Sequence, residues 1–156
     1  MAIKILAIGK TNKGFTLDGL NEYLGRLKRY IPFQWKEVPD IKRSNKTTQQ
    51  EIKQREAEII LKEVSPTTFL ILLDEKGKQF TSEKFANYLE KKMVNEPDIL
   101  FVIGGAYGFD QSVYDRSNEK LSLSEMTFSH QMVRMFFVEQ IYRAFTIIKG
   151  EPYHHS

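Results

Sequence analysis

Apolar positions along this chain switch repeatedly between strand-like runs and helical spacing. Lys4-Ile-Leu-Ala-Ile8 is a short apolar run that ends at Gly9 and predicts a strand. Apolar residues then fall at Leu17, Leu20, Leu24, Leu27 and Ile31, a helical stripe that Pro32 stops. Phe33-Gln-Trp-Lys-Glu-Val38 alternates as a half-buried strand does, and Pro39 to Thr47 is a basic loop without periodicity. Thr48-Gln-Gln-Glu51 has the form of a capping box and predicts a helix to about Val64, with a thin apolar face of Ile52, Ile59, Ile60 and Val64. Thr68 to Leu73 is continuously apolar, the signature of a central parallel strand, and Asp74-Glu-Lys-Gly77 reads as the turn after it. Thr81 or Ser82 caps a helix that turns Phe85, Leu89 and Met93 inward. Ile99 to Ile103 predicts a second central strand. Asp110 to Asn118 predicts a short helix, and Leu121-Ser-Leu123 a short strand. The final helix is expected from about Ser129 to Lys149, with Gly150 as its stop.

Strands alternating with helices imply an α/β fold: a parallel sheet with helices on both faces. No linker, repeat or low-complexity segment interrupts the pattern, so one domain is expected over 1–156. Composition agrees, with 41% hydrophobic and 28% charged residues over 156 positions, as in ordinary globular proteins. No apolar run approaches the ~20 residues a membrane helix needs, so no membrane partner is expected. The first residues are too short and too strand-like for a signal peptide. The absence of cysteine fits a cytoplasmic protein. Three histidines without cysteine leave little for a metal site, and none is expected. The net charge of +3 permits a nucleic-acid partner without requiring one. Its cations crowd the first third, from Lys10 through Arg26 and Arg29 to Arg43 and Lys46. Such a run is either a solvated surface or a phosphate-binding face.

The final helix departs from an ordinary surface helix. Met132, Val133, Met135 to Val138, Ile141, Tyr142, Phe145, Ile147 and Ile148 cover most of its circumference. That pattern points to a subunit interface, a two-fold homodimer through this helix. The alternative is a helix wedged between sheet and loops of one chain. Glu139 and Arg143 stand one turn apart and are placed to pair.

Chemistry is expected at the carboxyl ends of the strands. Gly104-Gly-Ala-Tyr-Gly108 ends the second central strand. Its adjacent glycines and its place late in the chain exclude the dinucleotide fingerprint. It is either a plain turn or a close backbone approach to a ligand. Leu121 to Phe128 is a loop of small and apolar residues with one charge, Glu125; such a loop is buried or lines an apolar ligand site. Leu73-Asp74 is a third candidate wall. His130 reads first as a capping or packing residue. The tail Glu151-Pro-Tyr-His-His-Ser156 reads as an end that docks, with Tyr153 and His154 suited to stack on a base or position it.

Phe101-Val-Ile-Gly-Gly105 with Gly108, Leu121-Ser-Leu-Ser124 through Thr127, His130, Val133-Arg134, Glu139-Gln-Ile-Tyr-Arg-Ala144 and Pro152-Tyr-His154 together are highly specific. In these pieces, and over its whole length, the chain resembles the RlmH family of SPOUT-class 23S rRNA pseudouridine N3-methyltransferases. The resemblance implies a SPOUT-type parallel sheet whose C-terminal part, about 68–150, is threaded into a deep trefoil knot. It implies S-adenosylmethionine bound as methyl donor, without metal, by Leu73, by Gly104 and Gly105, and by Leu123, Ser124, Glu125, Met126, Thr127 and Phe128. It also implies a homodimer through the last helix and a pseudouridine in a 23S rRNA stem-loop on the ribosome. Two positions depart from the family pattern: His155 stands where arginine is frequent, and Ser129 where proline is common.

The expected chemistry is methyl transfer to N3, a weakly acidic imide nitrogen that must lose its proton. His154 is the expected base, Tyr153 orients the base ring, and Arg143 holds phosphate or developing charge on the carbonyls. A non-catalytic ribosome-associated RNA-binding protein and a flavodoxin-like nucleotide domain are the alternatives. Neither of these would bind S-adenosylmethionine.

Overall fold

A strand buried on both faces needs apolar residues at every position, and the two uninterrupted apolar runs of this chain become neighbouring central strands. In the computed structural model of the chain, residues 2–155 are described; Met1 and Ser156, the ends of the expected domain, lie outside the described residues. The elements are β1 (Ala2–Ile8), α1 (Phe15–Leu27), β2 (Phe33–Val38), α2 (Gln49–Lys62), β3 (Thr68–Lys78), α3 (Ser82–Asn95), β4 (Asp98–Ile103), α4 (Gln111–Arg116), β5 (Glu119–Leu121) and α5 (Met132–Lys149). The sheet is parallel in the order β2-β1-β4-β3-β5.

Alternation along the strands divides the core in two. Ile3, Ile5, Ala7, Ile71, Ile99, Phe101 and Ile103 face α1, α3 and α5. Leu6, Ile8, Leu70, Leu72, Leu100 and Val102 face Ala57 and Ile60 of α2 and Val113 of α4. Helices therefore cover both faces, as the strand pattern requires. Thr48 and Thr81 cap α2 and α3 by accepting from the Glu51 and Lys84 amides.

Four boundaries differ from the sequence reading: the short strand expected at Leu121-Ser-Leu123 is instead Glu119–Leu121, set by its pairing with Ile71 to Leu73, and the other three have local reasons. The first helix ends at Leu27, and the Tyr30 amide donates back to the Leu27 carbonyl in a tighter turn. The residue before Pro32 is disfavoured in helical conformation, so the helix closes early. The segment Asp74 to Gly77 is not a free turn but continues β3, with an irregularity that lets Leu121 pair with both Leu73 and Lys78. A Cβ on Gly77 would lie 2.6 Å from the Leu121 nitrogen, so only glycine allows that approach. The last helix starts at Met132 rather than Ser129. The Ser129 hydroxyl accepts from the Gln131 and Met132 amides and holds the chain in a turn before the helix.

Candidate active site

Parallel pairing in register places Leu73 beside Ile103, so β4 ends level with Leu73 while β3 runs on past it to Lys78. The segment after β5 crosses in front of both. Together they wall a cavity of about 610 Å³, formed by residues 73–76, 103–109, 121–124 and 126–130 with Tyr114 and Val133. That is within the usual size range of small-molecule sites.

Of the expected donor-binding residues, Leu73, Gly104, Gly105, Leu123, Ser124, Met126, Thr127 and Phe128 line this cavity. Glu125 is exposed and is not among its walls. The glycines have their backs to protein. A Cβ on Gly104 would lie 2.9 Å from the Phe109 ring, and one on Gly105 would lie 2.7 Å from Glu56 Oε2. A side chain at either position forces a shift, of the Phe109 ring, of the Glu56 carboxylate or of the turn itself. The third loop is tied to the first, since the Thr127 hydroxyl donates to Glu75 Oε2 at 2.5 Å. The Tyr114 hydroxyl donates to Asp74, and burial with that carboxylate pushes the phenol up, which keeps it a donor.

His130, which reads from sequence as a packing residue, lies in the cavity wall. Its Nδ1 is the one buried side-chain polar atom without a hydrogen bond among the described residues. Burial and then the nearby Arg134 guanidinium lower its pKa, so the ring is neutral at pH 7. An orphaned polar atom, a glycine cradle and this volume fit a ligand of methyl-donor size, with a flat base and a few polar groups. The sequence reading did not assign Tyr107, Phe109, Tyr114 or His130 to this wall. For Tyr107, Phe109 and His130 the signal was position, on or next to a loop already singled out; Tyr114 comes from within α4 and carried none.

The tail forms a second cluster. Arg143 donates to Glu139 Oε1 at 2.5 and 3.1 Å, as the one-turn spacing implies. The Tyr153 hydroxyl donates to the same oxygen at 2.9 Å, and its ring packs edge-on against Tyr142 at 4.8 Å. Arg143 Nη1 lies 3.0 Å from His154 Nδ1, and His154 Nε2 lies 2.8 Å from Glu83 Oε1. An arginine N–H only donates, so Nδ1 is the acceptor and the ring proton sits on Nε2, facing the carboxylate. The structure thus brings Arg143, Tyr153 and His154 together. It does not bring them to the cavity, for no tail residue lines it. Arg143 is ten residues beyond Val133 of the cavity wall, about 15 Å along the helix at ~1.5 Å per residue.

Comparison with known proteins agrees with this architecture. Residues 1–154 match the family model described as "Predicted SPOUT methyltransferase". A protein of Parabacteroides distasonis named ribosomal RNA large subunit methyltransferase H is 53% identical over 100% of both chains. Proteins of the same name from Christiangramia forsetii and Bacteroides fragilis are 50% and 45% identical, over 99% and 100% of each chain respectively. Among solved structures, a probable methylase family protein from Haemophilus influenzae superposes with a TM-score of 0.53 at 15% identity, covering 99% of this chain and 70% of that one, a likeness of fold.

Proposed function

The chain belongs to the SPOUT methyltransferase family, and on that premise we propose that it transfers a methyl group from S-adenosylmethionine to N3 of a pseudouridine in a 23S rRNA stem-loop on the ribosome, in the cytoplasm. The single observation that carries this reading is the cavity where the outer half of β3, the glycine turn after β4 and the loop after β5 meet, with two glycines that leave the backbone free to approach a ligand. The name shared by the full-length relatives supports ribosomal RNA as the substrate. Resemblance to the RlmH family supports the pseudouridine N3 as the acceptor and a trefoil knot over about 68–150.

The donor supplies an activated methyl on a sulfonium, so the chain's task is to position and to manage a proton. Turns at Leu73, Gly104-Gly105 and Leu123 to Phe128 hold the donor, with Glu125 at the outer side of the third. His154 takes the imide proton on Nδ1 once Arg143 turns from it to a phosphate or to charge growing on the carbonyls. Glu83 keeps the other ring nitrogen protonated and the ring aimed. Tyr153 orients the target base.

A homodimer through α5 reconciles the two clusters. The tail group lies too far from its own cavity, and a two-fold copy brings a second tail to it. Phe136 of α5 is 36% exposed beside Phe128, their rings 5.5 Å apart, an apolar contact suited to that interface.

Reverse transcription across the 23S stem-loop tests the reading. N3 methylation blocks the Watson–Crick edge, so wild-type rRNA stops the enzyme and rRNA from a deletion strain reads through. An unchanged stop after deletion would remove the assignment.

A further inference from the structure

The rim of the cavity carries a charged group that the methyl-transfer reading leaves unused. Arg43, from the basic loop between β2 and α2, reaches across to the glycine turn and donates to the Tyr107 hydroxyl at 2.9 Å. Its guanidinium carbon lies 5.1 Å from the Tyr107 ring centroid. Arg43 is exposed, and no carboxylate lies within 4.0 Å of it among the described residues. Its charge is therefore available. Tyr107 belongs to the cavity wall yet stays 36% exposed with Arg43 over it. A solvent-facing tyrosine is costly surface for a turn whose other members are glycine and alanine, and neither core cluster includes it.

We propose that Arg43 and Tyr107 form a nucleotide subsite at the mouth of the cavity, which takes an unpaired nucleotide of the substrate RNA next to the target: its base on the Tyr107–Arg43 stack and its phosphate on the guanidinium. This deepens the methyltransferase reading and rests on it for the identity of the RNA. The chemistry is matched at both ends. Aromatic and guanidinium planes stack bases of any sequence, and the planar fork of arginine holds phosphate. Duplex RNA keeps its bases stacked inside, so the subsite selects a loop over a stem.

Two separate measurements test this. The first is anisotropy with a fluorescein-labelled stem-loop RNA, over a salt series. Arg43→Ala and Tyr107→Ala should each weaken binding about tenfold, and Tyr107→Phe by less than about threefold, since the ring remains. Arg43→Ala should lower the salt slope by about one, and Tyr107→Ala should leave it unchanged. The second is calorimetric affinity for S-adenosylmethionine, expected within about twofold of wild type in Arg43→Ala, since Arg43 is not part of the cavity wall. Unchanged RNA affinity in both alanine variants overturns the subsite. So does a tenfold loss of donor affinity in Arg43→Ala, which would assign the guanidinium to the donor instead. A wild-type chain that binds the RNA but not the donor sinks the methyltransferase reading, while the same variants still decide the subsite.

Discussion

Arg134 Nη1 donates to the Gly9 carbonyl at 2.8 Å, joining the first turn of α5 to the end of β1. The same guanidinium donates to the Ile8 and His130 carbonyls and to Thr11, and Arg134 is 0% exposed. Methionine at 134 fills the space but strands the Ile8 and Gly9 carbonyls. Arg134→Met should lower the unfolding free energy by about 3 kcal/mol in urea denaturation. Lysine should rescue little of it, because one ammonium cannot span four acceptors. A loss below ~1 kcal/mol would show that the fork does not pin the helix.

Gly105 rests against the Glu56 carboxyl, so Gly105→Leu must displace that carboxyl or shift the turn that lines the cavity. Equilibrium dialysis with radiolabelled S-adenosylmethionine should show affinity falling at least about 100-fold. Circular dichroism should stay that of the folded chain. Intact affinity would count against these turns as the donor site.

Much of this was readable in the sequence. Both central strands showed as uninterrupted apolar runs, because burial on two faces leaves no room for alternation. The three loops were marked by glycines and by the missing charge of Leu121 to Phe128. Other features were not readable. Asp74 to Gly77 carries turn residues, yet β5 pairs with it, and pairing between distant segments leaves no local period. The apolar circumference of α5 suggested a partner. Within one chain, α1, α3 and the sheet already bury Phe137, Val138, Ile141 and Phe145. The dimer therefore rests on what remains, Phe136 and the stranded tail. Arg134 was not legible as a buried charge, because its helix also carries Glu139, Arg143 and Lys149 and no local pattern sets it apart.

His154 holds its proton on Nε2 against Glu83 and presents Nδ1 to Arg143. His154→Ala should lower turnover by about 100-fold or more and leave donor affinity within about threefold. Single-turnover methylation of rRNA checks it. Normal turnover with normal donor binding would remove His154 from the chemistry.

Glu56 is buried behind Gly105. Burial first, and then Asp40, push its carboxyl up to about 7 from the ordinary 4.5. Between those values the folded chain holds a proton the unfolded chain has released. Stability from this group therefore falls as pH rises from 4.5 to about 7 and levels off above. Glu56→Gln stays neutral and should abolish that slope. Allowing for partial solvent screening, it should be more stable than wild type by about 1–2 kcal/mol at pH 8 and close to it at pH 5. Urea melts at the two pH values measure the difference. Equal gains at both would mean the carboxyl does not titrate in this window.

A calorimetric titration of the wild-type chain with S-adenosylmethionine, run beside sedimentation of the same sample, tests the central claim most directly. Saturable binding of one donor per chain by a species of twice the chain mass is the predicted result. A monomer that gives no heat of binding would contradict it.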